Sequence, residues 1–212
     1  MRRDGTRLDL GNPPLLVALA LLLAICFAES AGAATGVVDI NQKRALAGRV
    51  TKGDERGFPV SIKQSGVYRL TSDLIVGDFG AAIEIMADRV TLDLNGHSIV
   101  GKGLPPDFSY YPCITAGTNS LIVVRNGFVV NCGFGILFLN VTDATIEQVH
   151  IQTAGNTSLA VGENAIVRGN HLNGPNSSIT CPSIVVDTTF VGSAGNNTST
   201  SACTKANLAG NF

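Results

Sequence analysis

A short apolar pattern returns along the chain at intervals of 31, 23 and 21 residues, and no other feature restricts the fold as tightly. Anchored on Leu92, it reads Val90-Thr91-Leu92-Asp93-Leu94-Asn95-Gly96. It returns as Val123-Val124-Arg125-Asn126-Gly127, as Ile146-Glu147-Gln148-Val149-His150 and as Val167-Arg168-Gly169-Asn170-His171. A period of this length is the mark of a solenoid. The repeated unit is rich in β-branched residues, which favour strands over helices. The expected architecture is therefore all-β, a coil of about five to six windings with one continuous core.

The columns of the stacked copies carry the next inference. Leu92, Val123, Ile146 and Val167 form the anchor column. Two positions earlier stand Val90, Leu121, Ala144 and Ala165, again apolar. Period-two alternation places both columns on the inner face of a strand. Successive windings would lie about 4.8 Å apart, so each column becomes a ladder. Three positions after the anchor stand Asn95, Asn126, Val149 and Asn170. Asparagine tolerates the left-handed conformation of a tight bend, so this column is expected at a corner, its amides bonded into a ladder. His97, Phe128, Ile151 and Leu172 follow as a further inward column, while His150 and His171 stack in register and face solvent. A third strand precedes each anchor, at 83–85, 114–116, 137–139 and 159–161.

The N-terminus reads as an export signal spanning 1–33. Arg2, Arg3 and Arg7 precede an uncharged apolar run over 15–28, short for a membrane-spanning helix, and Ala31-Gly32-Ala33 offers a small-x-small cleavage site. Residues 34–57 form an N-terminal segment whose stretch 39–48 predicts a capping helix, with Asp39 as N-cap and Gly48 as its stop. The coil would occupy 58–191. Residues 192–212, rich in Ser, Thr, Asn and Gly, form a C-terminal cap or tail. Four cysteines follow the leader: Cys113, Cys132, Cys181 and Cys203. An even count in an exported chain favours disulfides. Sequence neighbours suggest Cys113–Cys132 and Cys181–Cys203, with other connectivities open. The leader carries equal numbers of basic and acidic residues, so the formal charge stays at −1 without it. That balance excludes a strongly electrostatic nucleic-acid binder.

The runs Gly57-Phe58-Pro59-Val60-Ser61-Ile62, Ser65-Gly66-Val67-Tyr68-Arg69-Leu70 and Val90-Thr91-Leu92-Asp93-Leu94-Asn95-Gly96 resemble those of bacterial secreted right-handed parallel β-helix proteins. Such proteins share the broad fold of pectate lyases. The resemblance covers residues 39–212 and implies a single-stranded, right-handed parallel β-helix, secreted or periplasmic. It does not choose an activity, because the fold hosts many.

Lyase chemistry needs a base and Ca²⁺ held by oxygen ligands, and glycosidase chemistry needs paired carboxylates. Glu84 and Asp93 are the carboxylates available for such work, and Ca²⁺ enters only under the lyase reading. No cofactor is otherwise expected. His150 and His171 lack a third metal ligand. The long insertion at 101–112 is the first choice for binding, since loops on a rigid scaffold carry function. There Tyr110 and Tyr111 would stack on sugar rings, and Lys102 and Asp107 would bond hydroxyls. Two functional classes follow. One is a non-enzymatic exported module that binds carbohydrate or another extracellular polymer. The other is a small polysaccharide lyase or glycoside hydrolase. Oligomeric state is left open, and no membrane contact is expected once the leader is removed.

Overall fold

Parallel strands cannot be joined by a hairpin; the chain must travel away and return before it can pair with itself. In the computed structural model the return path of each strand is made of other strands. The structure describes residues 36–78, 80–103, 111–174 and 183–191, apart from the side chains of 154 and 156, and in addition the backbone of 176–179, 197–199 and 204–206. All belong to one unit, Ala33–Phe212. The early strands are β1 (Val37–Ile40), β2 (Val60–Ile62), β3 (Gly66–Leu70), β4 (Leu74–Ile75), β5 (Ile83–Ile85), β6 (Val90–Asp93), β7 (Ser98–Val100) and β8 (Pro112–Ala116). Two long strands follow, β9 (Ile122–Phe138) and β10 (Thr145–Val161). The last are β11 (Ile166–Arg168), β12 (His171–Asn173), β13 (Asn176–Ile179), β14 (Ile184–Val186), β15 (Thr189–Val191), β16 (Asn197–Ser199) and β17 (Thr204–Ala206). The one described helix, α1 (Gln42–Ala47), lies between β1 and β2.

Every pairing is parallel, and the pairs sort into three stacks. Stack A joins β2, β5, β8, the last parts of β9 and β10, then β13 and β16. Stack B joins β1, β3, β6, the first parts of β9 and β10, then β11, β14 and β17. Stack C joins β4, β7, the middle of β9 and of β10, then β12 and β15. The chain visits B, C and A in turn, so β9 and β10 each run through all three. The result is an all-β, curled parallel sheet, compatible with a β-helix-like winding.

The core lies between the inner faces. In stack B the inward column is Tyr68, Leu92, Val124, Ile146, Val167 and Val185, each in register with the next and each buried. In stack C it is Leu74, Ile99, Val129, Ile151 and Leu172, also buried. Stack A contributes Val60, Ile83, Ile114, Ile136 and Leu159. Burying each such side chain stabilises by about 1.5–3 kcal/mol relative to exposure.

This register corrects the sequence alignment at one copy. Val124, not Val123, stands between Leu92 and Ile146, and Val123 pairs with Thr91 on the outer face. Likewise Ile122, not Leu121, is the buried partner of Val90; Leu121 is exposed with φ of 57°. The cause is the Asn95-Gly96 bend. Asn95 and Gly96 both have positive φ (51° and 77°), whereas the next corners use a single such residue, Asn126 (60°) and then Gln148 (54°). Aligning the two Asn-Gly pairs therefore shifts the strand before them by one residue, which reverses its faces.

The asparagine column differs for the same reason. Gln148 and Gly169 hold the later corners, and Val149 and Asn170 turn inward. Asn170 is buried, accepts from Val149 N (2.9 Å) and donates to Ile146 O (2.9 Å). Asn95 donates to Leu70 O (3.1 Å), and Asn126 donates to the Asp93 carboxylate (3.3 Å). The amides thus serve neighbouring carbonyls and a carboxylate, not one another.

The first strands show how an edge is satisfied. Helix α1 starts later than the sequence predicts: Asn41, not Asp39, is its N-cap and accepts from Arg44 N (2.9 Å). Asp39 is extended within β1 and pairs with Arg69. Gly48 ends the helix as expected, at φ of 66°. An added Cβ there would lie 2.6 Å from Arg56 N. Gln42 then meets the outer edge of β4 with both ends of its amide, donating to Ile75 O (3.0 Å) and accepting from Ile75 N (2.9 Å). At the edge of β2, Asp54 accepts from Ser61 N (2.9 Å) and the Thr51 hydroxyl donates to Ser61 O (2.6 Å). Side chains here do what the next strand would do.

A disulfide joins Cys113 in β8 to Cys132 in β9, both buried. Such a bond fits an oxidising compartment. The suggested Cys181–Cys203 pair, the leader and most of the 192–212 tail lie outside the described residues. No helix among the described residues is long and apolar enough to cross a membrane.

Two outcomes test this packing. Val124→Ala should lower the unfolding free energy by about 2 kcal/mol, whereas Val123→Ala should cost under about 0.5 kcal/mol, read by denaturant titration. Equal effects would refute the register. Tyr68 is buried in the core, and its hydroxyl donates to Gln64 O (2.8 Å). Burial pushes its pKa above the ordinary phenol value. The unfolded chain then ionises first as pH rises through about 10, so stability is full below that pH and falls above it. Tyr68→Phe should flatten that alkaline decline in a melting series from pH 8 to 11.

Candidate functional site

The outer faces carry three arrangements of polar and aromatic side chains. The first is a column of alternating charge on stack B. Asp39, Arg69, Asp93, Arg125, Glu147 and Arg168 stand in register, one per strand, with the sign reversing at each step. They close as pairs: Arg69 to Asp39 (2.8 Å), Arg125 Nε to Asp93 (3.0 Å) and Arg168 to Glu147. Asp93 is the most heavily used. One oxygen accepts from Asn95 N (2.9 Å) and Asn126 Nδ2, the other from Arg125. Its carboxylate anchors a corner between two rungs.

Glu84 stands on stack A, in register with Ser61 and Thr115. The two carboxylates considered for catalysis thus belong to different stacks, and no group of three or more His, Cys, Asp or Glu gathers among the described residues.

The second arrangement is a row of rings on the outer face of stack C. Phe128, His150 and His171 are in register on three successive strands. Ring centroids are 5.3 Å apart for Phe128–His150 and 5.5 Å for His150–His171. The histidine pairing follows the sequence expectation. Phe128 does not: it was expected inward, and it is 41 % exposed. The one-residue slip hid it, since Val129 takes the inward place. His97, at the head of that column in the sequence, is expected as a satisfied, partly buried side chain, and it is half-buried with Nδ1 3.2 Å from the Asp73 carboxylate.

The third is a small open cleft at the corner between stacks C and A, with a volume of about 10 Å³, room for about one water molecule. Its wall includes Asp78, Lys102, Tyr111 and the Cys113–Cys132 disulfide. Gly101 and Gly103 line it too, and Asn131 pins them from behind. Its carbonyl accepts from Gly103 N (2.8 Å), and its side chain donates to Gly101 O (3.0 Å). Gly101 is required there, because a Cβ would come 2.6 Å from Asn131 O. Lys102 is thereby held on a pinned strip just beyond β7, with Nζ 4.0 Å from the exposed Asp78 carboxylate. On the other side the Tyr111 carbonyl accepts from Phe134 N (3.1 Å), and its side chain is 39 % exposed.

Two of the four residues assigned to binding from sequence, Lys102 and Tyr111, therefore share one cleft. Asp107 and Tyr110 lie outside the described residues. Asp78 and Asn131 were missed. Asp78 sits far from the insertion in sequence, and Asn131 reads as one more strand residue until its neighbours are stacked.

The charge column predicts a graded response. Asp93→Ala should destabilise by about 2 kcal/mol, since it leaves three donors without their acceptor. Asp39→Ala, in an exposed pair, should cost under about 0.5 kcal/mol by the same denaturant titration. Comparison with known proteins adds no name to this geometry: no family model, curated protein or solved structure matches the chain.

Proposed function

We propose that the chain is an exported, right-handed parallel β-helix that binds carbohydrate or a similar extracellular polymer. Its short α1 segment serves as the N-terminal cap. One observation carries the functional part: Lys102, Asp78 and Tyr111 face one open cleft on a floor pinned by Asn131. An exposed aromatic ring offers a flat apolar surface for the faces of sugar rings. The ammonium and carboxylate beside it bond hydroxyls, and the ammonium also favours uronate carboxylates. A rigid floor lowers the ordering cost of binding. The reading as a lyase or glycosidase has less support, because Asp93 is engaged by Arg125, Asn126 and the corner backbone.

A glycan array followed by calorimetric titration tests the proposal. Tyr111→Ala and Lys102→Ala should each weaken binding about tenfold, roughly 1.4 kcal/mol, without changing the melting temperature. Reducing-sugar and unsaturated-uronate assays should show no turnover. Polysaccharide cleavage abolished by Glu84→Gln or Asp93→Asn would overturn the proposal in favour of the enzyme.

A further inference from the structure

We propose that His150 and His171 form a two-imidazole site for a divalent transition-metal ion, separate from the Lys102 cleft. The backbone register sets the pair. His150 and His171 are direct partners in stack C, so their side chains leave the same face on adjacent strands. Buried neighbours hold that direction: Val149 and Ile151 flank His150, and Asn170 and Leu172 flank His171. The rings lie 5.5 Å apart, centroid to centroid, at 30°. His150 is exposed and His171 half-buried.

The surroundings leave the imidazoles unexplained by the protein itself. Neither has a hydrogen-bond or ion-pair partner among the described residues, whereas His97 is matched to Asp73 at 3.2 Å. The outward column on this face reads Ser98, Phe128, His150, His171 and Thr189. It holds no carboxylate to pair with an imidazolium and no cation to repel a metal. Phe128 closes one side of the pair, its ring 5.3 Å from that of His150. Gln152 and Asn173, two residues further on and in register with each other, keep the other side polar.

Neutral imidazole is a preferred ligand of Zn²⁺, Ni²⁺ and Cu²⁺. Metal–nitrogen bonds of about 2.0–2.1 Å require the two ligand nitrogens to come within about 4 Å. Accessible rings at this spacing reach that by turning about their side-chain bonds, with no movement of the strands. The protein supplies two ligands, so water or a small anion completes the shell. With two nitrogen ligands and open positions, Cu²⁺ is the ion of highest affinity in the divalent series.

The test titrates the purified protein with Cu²⁺, read by calorimetry and by electron paramagnetic resonance. The expected result is one Cu²⁺ per chain, with nitrogen splitting from two imidazoles. His150→Gln and His171→Gln should each weaken it about tenfold or more. His97→Gln should leave the affinity and the spectrum unchanged. Circular dichroism melts confirm that each variant is folded. No binding, splitting from fewer than two imidazoles, a loss caused by His97→Gln, or a smaller change in either His150→Gln or His171→Gln would overturn the proposal.

Discussion

In-register parallel pairing is the constraint on which everything else here rests. A strand that hydrogen-bonds to its own repeat places each side chain beside its equivalent, at strand spacing. One inward aliphatic then implies a whole column of them, as in Leu92, Val124, Ile146 and Val167. The same rule governs the outside, where like charges would repel if stacked directly. Stack B avoids this by reversing sign at each step from Asp39 to Arg168. Skipping one rung would set Asp39 against Asp93 and Arg69 against Arg125. The outer column therefore reinforces the order that the inner column permits.

Corners are where backbone cost concentrates. Among the described residues, nine other than glycine have positive φ, Arg89, Leu121 and Gln148 among them. Long side chains are uncommon in the left-handed region, because the Cβ crowds the following carbonyl. They persist because the flanking strands are tied above and below. The bends follow from the stacking, and local preference is overridden.

That hierarchy explains what could be read from the chain. Strand identity, the stacked His150–His171 pair, the Cys113–Cys132 bond and the stop at Gly48 follow from patterns that neighbouring residues already contain. The placement of Val124 and Phe128 does not. It depends on two extra residues at the Asn95-Gly96 corner, so matching the two Asn-Gly pairs puts the strands on either side out of register by one residue each. Lys102 and Tyr111 were found because a long insertion on a scaffold draws suspicion. Asp78 was not, since only the fold brings it to Lys102. The start of α1 was misplaced because Asp39 and Asn41 are both good caps in isolation. Pairing of Asp39 with Arg69 across β1 and β3 decides between them.

The amide of Gln42 on β4 has a consequence for growth. An open strand edge is a template on which foreign chains can add and polymerise. Here the donor and acceptor of Ile75 are already taken, and those of Ser61 are met by Asp54 and Thr51. A recruited strand would have to evict these groups one by one. At these two edges, addition is therefore opposed by the side chains of Gln42, Asp54 and Thr51 and not by bulk.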